Sequence, residues 1–448
     1  MEAIFGRLFQ SKDLYRVILR TAKMRKHIVG IAGLGVVGGG VAAILEKNRA
    51  EIARRTGVEI VVAKAAEKDA AKIAELKLEG CATIPDAMGL LSDKSIQTVV
   101  EVIGGTGFAK EFVLKAIAAG KNVVTANKAL LAAHGIEISK AARAKGVTVG
   151  FEASTAGGIP IIRTLREGYV GDNIKKIIGI LNGTSNYILT RMSLGGGTFK
   201  EALSDAQNKG YAEADPTLDI SGGDSSHKLV ILARLAFGED FPIESVYVEG
   251  ITGVAPVDIK YAAELGYRIK LLALAKRRDD SVELRVHPAL VKESHPLAHV
   301  EGVFNSVFVE GEFVGETMLY GQGAGRWPTA SAIVADLIDV ATGRASTVAW
   351  REAEGRLKVR EIGDVDARYY IRFQAIDKPG VLAAISGVLG EQQISIASAI
   401  QKDRRVGQSV PLVILTHSAK EASIQKALSI IAGLEVMTGK HVVLREEE

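Results

Sequence analysis

The residues best suited to chemistry lie in one polar stretch, GYAEADPTLDISGGDSSHK, which is followed by an apolar run, LVILARLAFG. The stretch contains Glu213, Asp215, Asp219 and Asp224, and Lys228 follows four residues after the last of them. Residues four apart share one face of a helix, so Asp224 and Lys228 are expected to meet. On an exposed helix they would form only a weak structural ion pair. Because this helix is apolar enough to be buried, we favour a functional role, in which carboxylates bind a substrate ammonium group and the lysine donates a proton.

A dinucleotide-binding turn is indicated near the start of the chain. The segment HIVGIAGLGVVGGG contains Gly33-x-Gly35-x-x-Gly38 between a β-branched run and a long helical pattern. The first glycine permits a tight turn, the second lets the backbone approach a pyrophosphate, and the third allows close packing of helix and strand. Val36 and Val37 would open the helix whose N-terminus faces the phosphates. The glycine spacing alone can arise by chance, so the prediction of a dinucleotide site depends on the strand and the helix that flank it.

A second lysine lies in KNVVTANKALL, residues 121–131, where a strand pattern gives way to a helix. Ligands of parallel sheets bind at the carboxyl ends of the strands, so we expect Lys128 at the nicotinamide edge of a cofactor cleft. The alternative is a lysine that begins a surface helix. A bound dinucleotide, an acid–base lysine and a cluster of carboxylates together predict hydride transfer on an amino acid that carries an alcohol or an aldehyde.

The type of dinucleotide stays open between NAD and NADP. The segment VEIVVAKAA predicts a second strand that ends beside Glu67 and Lys68. An acidic residue at this place bonds the ribose of NAD, whereas a basic one accepts the 2′-phosphate of NADP. Both could also be solvated charges at a strand exit. Gly104 and Thr125 end two further strand patterns and are expected to line the same cleft.

The elements that must position these residues alternate between strand and helix. This alternation predicts a parallel, doubly wound sheet of the Rossmann type, followed by an α+β domain. In the second domain, the strand pattern IKKIIGIL leads into NGTSN, where small residues suit the close approach of a ligand. The loop ASTAGGI has carbonyl groups that, with Glu152, could hold a hard cation.

Seven segments together resemble the homoserine dehydrogenase family. They are, in chain order, GIAGLGVVGGG, VVTANKALLA, FEAS with GGIPII, ILNGTSNYILT, YAEADPTLDISGGDSSHKL, VDIKYAAELGYRIKLLA and YGQGAGRWPTASAIVADL. The resemblance covers about residues 27–345. It implies the reversible, NADPH- or NADH-dependent reduction of L-aspartate 4-semialdehyde to L-homoserine, a step toward threonine and methionine.

The resemblance also implies individual roles. Lys228 would be the acid–base residue at the substrate oxygen, and Lys128 a second ammonium group at that oxygen or at the nicotinamide. The substrate ammonium group and the lysines would be held by Glu213, Asp219 and Asp224. Gly183 and Gly323 would line the cofactor. A site for Na⁺ or K⁺ would be formed by Glu152 and the carbonyls of Thr155, Gly157 and Ile159. Here Thr155-Ala156 departs from the more usual Val-Gly.

The C-terminal part has the predicted order βαββαβ, which is the ferredoxin-like arrangement. Its opening, FQAIDKPG, resembles an ACT domain, which implies amino-acid binding and suggests threonine as a feedback effector. The alternative is a dimerisation module without a ligand. The expected organisation is an N-terminal extension (1–26), a nucleotide-binding domain (27–155, completed by about 320–345), a catalytic and dimerisation domain (156–320), a linker (346–367) and the ACT domain (368–448).

Composition excludes several other classes of protein. The formal charge of +4 is spread along 448 residues, which does not favour nucleic-acid binding. No apolar stretch approaches the ~20 residues that span a bilayer, and a single cysteine, Cys81, indicates the cytoplasm. An enzyme that forms an acyl-thioester would need a positioned cysteine, which Cys81 is not expected to be. A sensor that has lost catalysis is the other alternative, and a homodimer or homotetramer is expected from the family.

Overall fold

The computed structural model of the chain describes residues 24–75, 80–345, 350, 355–402 and 406–447. Most of the expected N-terminal extension, residues 1–23, lies outside this part. Eight residues of the expected linker, 346–349 and 351–354, also lie outside it. Two sheets carry the architecture of the described residues.

The N-terminal part alternates strands and helices, as expected. Its elements are β1 (Arg25–Ala32), α1 (Val36–Lys47), α2 (Arg49–Thr56), β2 (Val58–Ala66), α3 (Ala70–Glu75), β3 (Ala82–Ile84), α4 (Gly89–Ser92), β4 (Thr98–Glu101), α5 (Phe108–Ala118), β5 (Asn122–Thr125), α6 (Lys128–Lys145) and β6 (Val149–Gly150). The strands are parallel and lie in the order β3-β2-β1-β4-β5-β6. This order places the carboxyl ends of β1, β4 and β5 side by side at one edge, and it confirms the predicted Rossmann-type fold.

The first helix is shorter than the sequence pattern indicates. The structure divides the expected long helix at Asn48, whose backbone has φ −104° and ψ 12°. An asparagine side chain competes for backbone hydrogen bonds, which makes it a poor residue for a helix interior. The second segment, α2, then ends at Gly57, which adopts φ 73°.

The middle part combines a mostly antiparallel sheet with helices. Its elements are α7 (Ile161–Arg163), β7 (Ile174–Ile180), α8 (Gly183–Gly195), α9 (Phe199–Asn208), α10 (Thr217–Ile220), α11 (Gly223–Phe237), β8 (Tyr247–Val248), α12 (Pro256–Glu264), β9 (Tyr267–Arg278), β10 (Ser281–Lys292), β11 (Phe304–Gly311), β12 (Gly315–Gln322) and α13 (Arg326–Thr342). The apolar helix α11 packs against β7, β9 and β10. The chain then returns to the first sheet, because α13 packs against α1.

The C-terminal part has the predicted ferredoxin-like order. Its elements are β13 (Lys358–Val359), β14 (Asp366–Ile376), α14 (Val381–Glu391), β15 (Ile396–Ile400), β16 (Ser409–Thr416), β17 (Ala419–Lys420), α15 (Glu421–Ala432) and β18 (Val442–Glu447). The strands lie in the order β18-β14-β16-β15. β18 also pairs with β10, with Ala289 opposite Arg445. The middle and C-terminal parts therefore share one continuous sheet, which the sequence pattern did not predict.

Candidate active site

Two lysines that are distant in sequence meet at one carboxylate. Lys228 lies on the first turns of α11, and its Nζ donates to Asp224 Oδ2 (2.8 Å) and to the carbonyl oxygen of Leu181 (2.6 Å). Lys128 begins α6, directly after β5, and its Nζ lies 3.3 Å from Asp224 Oδ1. Asp224 and Lys228 are buried, whereas Lys128 keeps about a third of its side chain exposed. The predicted convergence of the two ammonium groups is therefore present in the structure.

An asparagine joins the two aspartates of the cluster. Asn182 Nδ2 donates to Asp219 Oδ1 and to Asp224 Oδ2, both at 2.7 Å. Its Oδ1 accepts from the backbone N–H of Ser185 and so caps α8. Asn182 was noted in the sequence only as part of NGTSN. Its role as a cap and its contact with the carboxylates were not predicted, and the contact depends on tertiary structure.

The two aspartates differ in their electrostatic environment. Burial alone would raise the pKa of Asp224, but the Lys228 and Lys128 ammonium groups outweigh it and hold that pKa well below its usual range. Burial raises the pKa of Asp219, and the hydrogen bond from Asn182 only partly offsets this. Asp224 is thus a permanent anion between two cations, whereas Asp219 binds a proton more readily.

The remaining acidic residues of the stretch lie farther out. The side chains of Glu213 and Asp215 are exposed. Asp215 Oδ1 accepts from the backbone N–H of Thr217 and shapes the turn before α10. Among the described residues, no hydrogen bond or ion pair joins the Glu213 carboxylate to either lysine. The structure therefore brings Asp219, Asp224 and both lysines together, but not Glu213.

A half-buried histidine that sequence analysis did not single out lies beside the cluster. His227 follows Asp224 by three residues, and its buried Nδ1 has no hydrogen-bond partner among the described residues. Burial lowers the pKa of His227, and the charges of Lys128 and Lys228 lower it further, against the opposite effect of Asp224. The imidazole is therefore neutral near pH 7. The only sequence feature that could have indicated His227 as a site residue was its position next to Lys228 in the SSHK segment.

The glycine-rich turn has the shape that a dinucleotide needs. Gly33 adopts φ 100°, and a Cβ at Gly38 would overlap the carbonyl oxygen of Gly33. A Cβ at Gly35 would meet nothing within 4 Å, so the backbone there is open. Val36 is exposed and Val37 half-buried at the start of α1. Gly33 and Gly35 line a cleft of about 400 Å³. These residues fit a bound pyrophosphate.

The same cleft is lined by residues of both charges. Glu67 Oε2 accepts from the N–H of Leu34 (2.9 Å), and its Oε1 accepts from the N–H of Lys68 (2.8 Å). Burial alone would raise the pKa of Glu67, but these backbone donors outweigh it and lower that pKa. Lys68 and Lys72 line the cleft beside it. The cleft thus contains an acidic side chain suited to a ribose hydroxyl and basic side chains suited to a 2′-phosphate.

Two other predicted cofactor residues are held by a buried glutamate. Glu101 ends β4 with no exposed surface. It accepts from Thr125 Oγ1 (2.6 Å) and from the backbone N–H of Gly104 (3.1 Å). Asn127 Nδ2 donates to the carbonyl oxygen of Gly105 and links the ends of β4 and β5. The Thr125 hydroxyl therefore faces Glu101, and its contribution is to fix the strand ends from which Lys128 starts.

Gly183 and Gly323 lie on either side of one buried amide. A Cβ at Gly323 would overlap the side chain of Asn305, and a Cβ at Gly183 would lie 3.6 Å from Asn305 Oδ1. Both polar atoms of the Asn305 amide lack a hydrogen-bond partner among the described residues. The structure thus brings together two glycines that are 140 residues apart in sequence. Sequence analysis missed Asn305, because nothing local marks it.

The expected cation site is built around Glu152. Its carboxylate oxygens accept from the backbone N–H groups of Ile162 and Arg163, both at 2.9 Å. Burial raises the pKa of Glu152 despite these donors.

The turn that would supply the carbonyl ligands follows Glu152. The buried Thr155 hydroxyl has no partner among the described residues, and Gly157 adopts φ 46°. Ile159 closes this turn, since its N–H bonds the carbonyl of Ala156. The described residues contain no group of three acidic, histidine or cysteine side chains arranged for a metal.

A second buried carboxyl, Asp336 on α13, lies next to Glu152. Asp336 Oδ2 accepts from the backbone N–H of Glu152 at 2.8 Å. Burial raises the pKa of Asp336 to about 7, and the charge of Glu152 contributes to the increase. An unfolded aspartate has a pKa of about 3.9, so the folded protein holds the extra proton between about pH 4 and 7. The contribution of Asp336 to stability therefore falls as the pH rises through that range.

Asp336→Asn is accordingly expected to raise the free energy of unfolding by about 2–4 kcal/mol at pH 8, because asparagine keeps the acceptor oxygen and cannot ionise. At pH 5 the gain should be less than half as large. Guanidinium unfolding midpoints at both pH values measure the effect. Asp280→Asn, at an exposed carboxyl in the β9–β10 turn, is the control and should change stability by about 0.5 kcal/mol at most. A variant no more stable than wild type at pH 8 would contradict this account of Asp336.

Comparison with known proteins agrees with this geometry. Residues 160–338 match the family model described as homoserine dehydrogenase, and residues 33–152 match its NAD-binding domain. Residues 369–436 match the ACT domain. The homoserine dehydrogenase of Neisseria gonorrhoeae is 45% identical over 95% of this chain and 99% of its own length. The chain belongs to the homoserine dehydrogenase family. This membership confirms the resemblance read from the sequence motifs.

Solved homoserine dehydrogenases share the fold. The crystal structure of the enzyme from Thiobacillus denitrificans has a TM-score of 0.89 at 44% identity and covers 95% of this chain and 99% of that one. A hyperthermophilic archaeal homoserine dehydrogenase in complex with NADPH has a TM-score of 0.62 at 29% identity, and covers 72% of this chain and 99% of that one. Like the archaeal relative, the chain contains a domain for an NAD-type dinucleotide. Across the described helices, none is long and apolar enough to cross a membrane.

Proposed function

We propose that this protein catalyses the reversible NAD(P)H-dependent reduction of L-aspartate 4-semialdehyde to L-homoserine. The observation that carries the proposal is the sharing of the Asp224 carboxylate by Lys128 and Lys228 at the carboxyl end of the nucleotide-binding sheet. Two cations held at fixed positions by one buried anion can stabilise an oxygen that becomes negative during the reaction. Family membership gives the substrate class, and the alternative of an inactive sensor has no support in the relatives or in the site.

Lys228 and Lys128 have different roles in the reaction. When bound, the dinucleotide supplies the hydride for the aldehyde carbon. Lys228 is buried and is oriented by two acceptors, Asp224 and the Leu181 carbonyl. This leaves a third N–H, which we assign to proton transfer to the substrate oxygen. Lys128, which is more exposed, contributes its charge to the same oxygen. In the reverse direction Lys228 accepts the proton of the homoserine hydroxyl.

The acidic residues orient the amino-acid end of the substrate. Asp219 is half-buried and is fixed through Asn182, which suits it to accept a hydrogen bond from the substrate ammonium group. Asp224 already serves both lysines, so its main role is to position them. Glu213 lies on the exposed turn before α10. We assign Glu213 to substrate binding in a state in which this turn closes over the substrate. Charge-assisted hydrogen bonds of this kind give binding its geometry.

The finer points of binding and regulation belong to the same proposal. Gly33, Gly35, Glu67 and Lys68 bind the dinucleotide in the cleft, and the carbonyls of Thr155, Gly157 and Ile159 with Glu152 bind a monovalent cation. The ACT domain binds an amino-acid effector, for which threonine is the first candidate. The protein acts in the cytoplasm as a homodimer or homotetramer.

The test is homoserine-dependent formation of NADPH or NADH by the purified protein, followed by the absorbance of the reduced nicotinamide. We expect turnover with L-homoserine and none with L-serine, which is one carbon shorter. A lower KM for NADP⁺ than for NAD⁺ would identify Lys68 and Lys72 as partners of the 2′-phosphate, and the reverse would assign the ribose to Glu67. Absence of turnover with both cofactors, under conditions in which the protein binds NADPH, would refute the proposed activity.

A further inference from the structure

A second cavity lies where the middle part of the fold meets the ACT domain. This junction cavity has a volume of about 550 Å³ and is distinct from the cofactor cleft. One wall is formed by β7, β9 and β10, including Lys175, Lys176, Lys276 and Arg277. The other wall is formed by β14 and β18 of the ACT domain, including Arg368. None of the residues assigned to catalysis or to cofactor binding lines it.

Cationic side chains outnumber carboxylates around the junction cavity, by seven to five. Lys176 and Lys276 lie directly opposite each other on adjacent strands. Like charges in that position repel each other unless anions lie close by. The protein supplies some of these anions itself, so the question is which cations remain after its own ion pairs have formed.

Every carboxylate of the junction cavity already has a cationic partner. Glu310 pairs with Lys176 (2.8 Å), Glu446 with Lys292 (3.3 Å) and Asp366 with Arg360 (3.8 Å). Arg285 lies between the last two carboxylates, Glu283 (2.9 Å) and Glu447 (2.7 Å). These two also pair with the remaining partnered cations, Glu283 with Arg278 (3.4 Å) and Glu447 with Lys276. These anions are therefore not available to the other cations of the wall.

Three cations and one buried donor are left over. Within the described part of the chain, Lys175, Arg277 and Arg368 form no ion pair with a carboxylate, and all three are exposed toward solvent or the cavity. Arg285 is 97% buried, yet its Nε–H has no hydrogen-bond acceptor among the described residues. A buried donor without an acceptor is unfavourable, and this one belongs to a side chain that lines the cavity.

The geometry points to the junction cavity as a binding site for a small anion with two or more negative charges, carried on phosphate or carboxylate groups. Arginine and lysine bind both groups through charge-assisted hydrogen bonds. Because the leftover cations come from both walls, the anion would bridge the catalytic sheet and the ACT domain. Its binding would therefore favour the arrangement in which the two are docked.

Isothermal titration calorimetry tests this site directly, without requiring turnover. The wild-type protein, saturated with NADP⁺ so that the cofactor's own phosphate sites are filled, is titrated with inorganic phosphate and, separately, with citrate at constant ionic strength. We expect saturable binding at one site per chain for at least one of the two. Binding of phosphate alone would identify a phosphate-bearing ligand, and binding of citrate alone a polycarboxylate.

Substituting two exposed cations should abolish anion binding at the junction cavity. The double variant Lys175→Gln/Arg368→Gln removes one leftover cation from each wall and should weaken binding at least tenfold. Lys94→Gln, which removes an exposed lysine of the nucleotide-binding domain, is the matched control and should bind as wild type does. Absence of saturable binding by either anion, or equal affinity of the double variant and wild type, would overturn the proposal. Because binding is measured without homoserine, this outcome is independent of the proposed enzyme activity.

Discussion

Replacing Lys228 by methionine is expected to lower kcat for homoserine oxidation by about 10³–10⁴-fold, because one substitution removes both the proton-transfer group and half of the charge at the reacting oxygen. KM for the dinucleotide should change little, since Lys228 contacts Asp224 and Leu181 and none of the residues of the glycine-rich turn. Steady-state rates with varied homoserine and varied cofactor measure both effects. Lys228→Arg keeps the charge but holds its proton too tightly, so it should remain at least about 10²-fold below wild type.

The chain offers a matched control for this experiment. Lys209 and Asp205 are also four residues apart on one helical face, and they are 3.1 Å apart. Half of the Lys209 side chain is exposed, compared with a tenth for Lys228. Lys209→Met should therefore leave kcat within about twofold of wild type. If the two methionine variants lose equal activity, or if Lys228→Met keeps most of its kcat, then Lys228 is a structural residue and the proton comes from another group.

The second large effect concerns stability. Asp258 on α12 has no exposed surface and binds Arg372 of β14 through Nε (2.6 Å) and Nη2 (3.1 Å), with a further hydrogen bond from Tyr370 Oη (2.9 Å). Asp258→Ala is expected to destabilise the protein by about 3–5 kcal/mol, because it leaves the Arg372 guanidinium buried without its anion. The unfolding midpoint in guanidinium, followed by tryptophan fluorescence and by circular dichroism, measures the change.

A surface pair at the same interface serves as the comparison. Glu264, also on α12, pairs with Lys402 of the ACT domain, but both side chains are substantially exposed. Glu264→Ala should cost about 1 kcal/mol at most. Exchanging both buried partners, as Asp258→Leu with Arg372→Met, should recover much of the loss, because no charge is then left buried. Equal destabilisation by the two alanine variants would show that the buried pair does not hold the domains together.

Sequence patterns predicted the local elements and the residues at their ends. The glycine spacing identified the turn at Gly33, and the alternation of strand and helix placed Lys128 at a strand end. The spacing of Asp224 and Lys228 placed them on one helix face. These predictions succeeded because each depends on residues that are near in sequence, where helix and strand periodicity decide the outcome. The family motifs added the link between the lysines that periodicity could not supply.

Features that depend on distant contacts could not be predicted. Asn182 contacts two aspartates that lie 37 and 42 residues away. Asn305 is placed beside Gly323 by the pairing of β11 with β12. The division of the first helix at Asn48 has a local cause, but it was missed because a single residue of low helix propensity is a weak signal. The pairing of β10 with β18 depends on how the edges of two strands meet in the folded molecule. The hydrophobic alternation within each strand does not predict which edges will meet.

The shared sheet also determines what removal of the ACT domain would expose. β18 lies between β10 and β14, so its loss would leave the backbone N–H and C=O groups at Ala289 to Val291 of β10 without partners. An unprotected, largely buried strand edge of this kind readily recruits strands from other molecules and leads to aggregation. Besides any part in regulation, the ACT domain thus covers a strand edge of the catalytic sheet that would otherwise be open to uncontrolled pairing with strands of other molecules.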